Sequence, residues 1–155
     1  MDEQTIFSPT RKYRYVLWRR WQPGSKSLAV IGLNPSTADE VIDDPTIRRC
    51  IGFAKSWGFD ALCMLNLFAF RATDPAVMAV QSDPIGPEND KFIVAATQAA
   101  SMTLAAWGTH GSFMGRGEQV LRLIPSVHCL GITKHGFPKH PLYIKGDTQP
   151  ISYPK

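Results

Sequence analysis

Cysteine is scarce in this chain, long apolar runs are missing, and the common glycine-rich and metal-binding signatures are absent. Its three cysteines, Cys50, Cys63 and Cys129, are odd in number, far apart and set among apolar neighbours. That pattern argues for buried thiols rather than a disulfide framework, and without a Cys-x-x-Cys pair no zinc site is expected. No stretch approaches the length of a membrane span, and Met1-Asp2-Glu3-Gln4 lacks the basic and apolar parts of a signal peptide; a cytoplasmic protein is expected. There is no Gly-x-x-x-x-Gly-Lys-Ser/Thr loop, no dinucleotide Gly-x-Gly-x-x-Gly after the first strand and no Gly-x-Ser-x-Gly elbow, and Gly115-Arg116-Gly117 is too short for a nucleotide loop. No metal and no cofactor are expected.

What remains is a chain of 155 residues with 44% apolar content, enough for one domain, 1–155, with a real core. The net charge is +4 and the isoelectric point about 9.1. Arg11, Lys12, Arg14, Arg19 and Arg20 crowd one end, and Lys134, His135, Lys139, His140 and Lys145 the other. Brought together, they would make a basic face for phosphates; a solvated surface is the simpler reading of charge alone.

Tyr13–Trp21 reads as an edge strand, the Gln22-Pro23-Gly24-Ser25 turn follows, and Ser27–Leu33 would pair with it antiparallel. Asp44-Pro45-Thr46 opens a helix with Ile47, Ile51, Phe53, Ala54 and Trp57 as its apolar stripe, ended by Gly58. Ala61–Phe70 is a second buried strand, broken by Arg71-Ala72-Thr73-Asp74-Pro75. Glu88–Ala100 is a helix with Phe92, Ala95, Ala96 and Ala99 inward. Met102–Trp107 is a third strand, Gly115–Leu123 a short helix, and Ser126–Ile132 a fourth strand. This alternation predicts a three-layer α/β/α domain with a mostly parallel central sheet. The strand ends then gather on one edge, each with polar cargo: Asn34, Asn66 with Arg71, Trp107 with His110, and His135 or His140.

In Gly32-Leu33-Asn34-Pro35 a buried strand delivers an amide to a proline turn, where Asn34 can position a water or a hydroxyl but cannot act as a base. Asn66 stands inside the apolar strand Leu65-Asn66-Leu67-Phe68. A buried amide must satisfy both donor and acceptor, either on a neighbouring loop or on a ring edge such as a pyrimidine's. His140, held extended by Pro141, can donate to an oxygen gaining negative charge, or it lies exposed on the surface. His110 and His135 mark turns, His128 is a strand residue, and Asp39, Asp43 and Asp44 are either ligands for a cation or sugar or, more simply, caps and turn formers.

Three segments carry a resemblance: Gly32-Leu33-Asn34-Pro35-Ser36-Thr37-Ala38-Asp39, Asn66-Leu67-Phe68-Ala69-Phe70-Arg71-Ala72-Thr73-Asp74-Pro75 and Lys139-His140-Pro141-Leu142-Tyr143. Over nearly the whole chain they resemble a family known by its domain-of-unknown-function number, 1643. In three short motifs they resemble the uracil-DNA glycosylase superfamily. The wider resemblance implies a glycosylase-like protein that hydrolyses the N-glycosidic bond of a flipped pyrimidine, modified or mismatched ones included, with DNA as partner. Asn34 would orient water, similar to the Gly-Ile-Asn-Pro of mismatch-specific thymine/uracil glycosylases, and His140 would stabilise the leaving base. Asn66 with Phe68 would bind the base, and Ser36, Thr37, Arg71, Lys139, Leu142 and Tyr143 would contact DNA. The superfamily's terminal motif is His-Pro-Ser, and Leu142 replaces its serine. Two alternatives stand beside this: a non-catalytic module for a nucleotide or modified base, and an enzyme acting on free nucleosides or nucleotides.

Overall fold

A computed structural model describes residues 3–154. It is an α/β protein with a seven-stranded mixed sheet in the order β1-β2-β4-β3-β5-β6-β7. The strands are β1 (Ile6–Phe7), β2 (Arg14–Arg20), β3 (Ser27–Gly32), β4 (Ala61–Asn66), β5 (Met102–Ala105), β6 (His128–Cys129) and β7 (Ile151–Ser152). The helices are α1 (Pro45–Ser56), α2 (Pro75–Ala79), α3 (Asn89–Ala99) and α4 (Arg116–Leu123). The four central strands, β4, β3, β5 and β6, are parallel. Pairing turns antiparallel outside them, β1 with β2, β2 with β4 and β6 with β7, so a mostly parallel sheet holds for the centre alone.

The expected pairing of the first two long strands is corrected. β2 is not an edge strand and does not pair with β3, because β4 lies between them. Asp60, just before β4, accepts hydrogen bonds from Gln22 Nε2 at 2.6 Å and from the Lys26 N–H at 3.0 Å. A Cβ at Gly24, whose φ is +141°, would fall 2.1 Å from the Asp60 carboxylate. The turn thus folds over the start of β4 instead of closing a hairpin.

Side chains of successive strand residues point to opposite faces, and the core divides accordingly. Leu28, Val30, Leu62 and Met64 pack with Ile47, Cys50, Phe53 and Ala54 of α1. Ala29, Ile31, Cys63 and Leu65 pack with Ile93 and Ala96 of α3 and Val120 of α4. Each such aliphatic side chain contributes roughly 1.5–3 kcal/mol by leaving water. All six residues of β3 and of β4 are buried, as a strand covered on both faces requires. The apolar face of α3 turns on Ile93, Ala96 and Thr97, whereas Ala95 and Ala99 are exposed; alanine is too small to mark a face. The three cysteines are free and buried. No helix among the described residues is long and apolar enough to cross a membrane.

Candidate functional site

The carboxyl ends of β3, β4 and β5 open into a cleft of about 590 Å³ beside the N-terminus of α1. Asn34, Asn66 and His140 line it together, as do Ser36, Thr37 and Leu142. Residues separated by more than a hundred positions meet there because the three strands are parallel and in register.

Asn66 is the last residue of β4, one step beyond the side chains that face α1. Its carboxamide is only 2% exposed, and Nδ2 has no hydrogen-bond partner. An orphaned buried donor costs about 1–3 kcal/mol. Its register partner on β3 is Gly32, where a Cβ would sit 3.0 Å from Asn66 Oδ1 and 2.8 Å from Met64 Cε. Glycine at that position therefore makes the room the amide occupies.

Asn34 is fixed through its nitrogen. Nδ2 donates to the Ala72 carbonyl at 2.7 Å and to the Pro35 carbonyl at 3.3 Å, and the Ala72 N–H donates back to Pro35 O at 2.9 Å. Both amide hydrogens are engaged, which leaves Oδ1 as the free acceptor.

His140 sits on a loop tied to the sheet, where the Gly108 N–H donates to the Pro138 carbonyl at 2.9 Å and Arg49 Nε of α1 donates to Pro141 O at 3.4 Å. The backbone N–H of Leu142 donates to Nδ1 at 3.2 Å, so the neutral ring carries its proton on Nε2. Burial holds its pKa below the ordinary histidine value.

Four of the expected site residues lie outside the cleft lining. Phe68 is fully buried and packs on Phe113 with ring centres 5.5 Å apart, outside the cleft; Trp107, buried at the end of β5, is the large aromatic residue in the lining. Arg71 stacks over Phe7, in a shallow basic depression with Arg11 and Lys12 that shares Ser36 and Thr37 with the cleft rim. Lys139 is exposed, its stem lying against Gly131. Tyr143 is fully exposed at φ +68° and lines no part of the cleft. A single basic face is likewise not formed at the N-terminal end, because Arg11, Arg19 and Arg20 pair with Glu40, Asp43 and Glu3. His135 belongs to a smaller cavity with Gly136, Phe137 and Tyr153.

The acids resolve as structural groups. Asp39 Oδ1 accepts the N–H groups of Val41 and Ile42. Asp44 caps α1 by accepting the Ile47 N–H at 2.9 Å, and it also takes the Ala38 N–H. No group of three histidine, cysteine or acidic side chains suited to a metal ion occurs among the described residues.

Arg14 was legible only as one of several surface cations, yet it lines the cleft at 2% exposure. Nη1 donates to the Ala38 carbonyl at 3.1 Å, and Nε is buried without a partner. Loss of solvent lowers its pKa to about 10. The one sequence signal was its place at the start of an otherwise apolar strand run, Tyr15-Val16-Leu17.

No curated protein and no solved structure matches this chain. Residues 14–142, which span all three segments of the cleft from Arg14 to Leu142, match the family model described as "Protein of unknown function (DUF1643)", and the chain belongs to that family.

Proposed function

We propose that the cleft takes up a pyrimidine flipped out of DNA and hydrolyses its N-glycosidic bond, within a uracil-DNA-glycosylase-like three-layer α/β/α domain of the cytoplasm. The observation that carries this reading is the orphaned amide of Asn66, which faces the same cleft as Asn34 and His140. A pyrimidine edge offers an acceptor for Nδ2–H and a donor for Oδ1, and so satisfies both halves of the carboxamide. The neutral His140 ring then donates Nε2–H to the oxygen on which charge collects as the base departs with the bonding electrons. Asn34 Oδ1 orients the water that adds to the sugar carbon. Without an acid at that position, the reaction depends on the leaving group, so plain uracil is a poor substrate and modified or mismatched pyrimidines are better ones.

The test is base release from duplexes carrying a panel of modified, mismatched and plain pyrimidines. Release is expected for at least one of them, falling on the order of a hundredfold or more in Asn66→Ala and His140→Ala. No release from any duplex by the parent protein overturns the enzyme reading.

One observation favours a second reading, a module that holds the nucleotide with its bond intact. The carboxylate in the cleft lining is Asp44, whose two oxygens already accept the N–H groups of Ala38 and Ile47 in the fold. Binding that Asn66→Ala weakens, with no cleavage, would select it. Activity on free nucleosides with little salt dependence would select an enzyme acting off DNA.

A further inference from the structure

The structure holds two wholly buried arginines, and they are used differently. Arg116, at 0% exposure, donates Nε to the Leu67 carbonyl and Nη1 to Gln119 Oε1, and its Nη2 is ion-paired with the Asp90 carboxylate at 2.6 Å without hydrogen-bond geometry. That guanidinium has two hydrogen bonds and a carboxylate counter-charge, and it fastens the end of β4 to α3 and α4.

Arg14 has no such set of partners. One nitrogen, Nη1, donates to a backbone carbonyl. Nε is enclosed and unpaired, and among the described residues Nη2 makes no hydrogen bond and no carboxylate lies within ion-pair distance. The carboxylate whose charge acts on it is that of Asp44, whose oxygens already accept two backbone N–H groups. The two unpaired nitrogens, Nε and Nη2, are the side-on fork by which arginine grips two oxygens of one carboxylate or phosphate. Arg14 lines the cleft shared with the unpartnered Asn66 amide, at the N-terminal end of α1, where backbone N–H groups also favour negative charge.

We infer that Arg14 is the anion-binding residue of this cleft, and that the ligand carries a terminal oxyanion, phosphate or carboxylate, in addition to the flat ring held by Asn66. This rests on reading the cleft as a pyrimidine site. The oxyanion must be terminal because a phosphodiester continues as chain on both sides, and a guanidinium 2% exposed admits no such thread. A cleft of about 590 Å³ lies within the range that holds a small molecule of nucleotide size. The inference therefore excludes the backbone of a duplex as the partner of Arg14 and leaves two sources for the anion: an acid group on the flipped ring itself, which keeps the DNA reading, or the phosphate of a free nucleotide, which selects the reading off DNA.

The experiment is calorimetric titration of the whole protein with four probes, paired so that the source of the anion is separated: uridine against uridine 5′-monophosphate, and uracil against 6-carboxyuracil. Inorganic phosphate is run alone. One acid is expected to bind about tenfold to a hundredfold more tightly than its neutral parent, and the pair that shows the preference names the source. In Arg14→Lys, which keeps the charge but not the fork, the acid loses its advantage over the neutral parent. Should that variant fail to fold, the nitrogen-15 resonance of Arg14 Nε in the native protein serves instead. It must shift with the acid and stay still with the neutral compound. Equal binding of acid and parent in both pairs, weakened by Asn66→Ala, overturns the anion inference and leaves the pyrimidine reading intact. A shift of Arg14 Nε with inorganic phosphate, with no pyrimidine bound, overturns the pyrimidine reading and keeps the fork. No response to any probe overturns both.

Discussion

At the scale of single residues, the cleft is made of groups whose hydrogen-bonding capacity is divided between fold and ligand. Asn34 gives its nitrogen to the fold and keeps its oxygen, and His140 gives Nδ1 to a backbone N–H and keeps Nε2. Asn66 keeps its nitrogen. For His140 the division has a measurable consequence. Burial lowers its folded pKa, so between that value and the ordinary histidine value of 6.5 the unfolded chain binds a proton that the folded chain refuses. Stability is therefore full above pH 6.5 and declines as pH falls through the folded value. In unfolding curves from pH 7.5 to 5, the parent should lose stability relative to His140→Gln as pH drops; parallel pH profiles for the two would refute the assignment. The amides and the histidine were legible in the sequence because each interrupts an apolar strand or precedes a proline. Arg14 and Gly32 were not, because an arginine at a strand start reads as solvated, and a glycine's missing side chain has meaning only once Asn66 lies across from it.

At the scale of elements, local signals were reliable and pairing was not. Asp44-Pro45 predicts the start of α1, and Asp44 is its cap. Asp74-Pro75 carries the same signal for α2, which was passed over because five residues give no apolar period. β1 and β7, two residues each, carry no pattern of their own. Phe68, given a place beside Asn66 only by the resemblance, lies two residues past the end of β4 and is fully buried against Phe113. The cap makes a prediction at this scale. Asp44→Ala should cost about 1–2 kcal/mol, and thus lower Tm by roughly 2–8 °C for a chain of this size. Asp44→Asn keeps the capping oxygen and should recover most of the loss. Equal damage from both substitutions in thermal denaturation would assign the effect to charge opposite Arg14 rather than to the cap.

At the scale of the whole molecule, all three thiols are enclosed, and burial raises each thiol pKa, that of Cys50 to about 12. The thiolate is the reactive form, so the native protein at pH 8 should react with a thiol reagent only as fast as it opens, and all three cysteines should appear in denaturant. A cysteine that labels within seconds in the native state would contradict this packing. The sheet as a whole was legible as alternating strands and helices, but its order was not, since sequence neighbours pair by default and only the Asp60 contacts betray the exception.

That exception bears on how the chain is made. A chain lacking residues 61–66 has no strand to stand between β2 and β3, so the apolar stretches Tyr15-Val16-Leu17 and Leu28-Ala29-Val30-Ile31 are left without that partner. Such unfilled margins invite pairing with another nascent chain. A fragment ending before Ala61 should therefore aggregate more readily than the whole chain, in which the six residues of β4 both fill that place and carry Asn66 to the cleft.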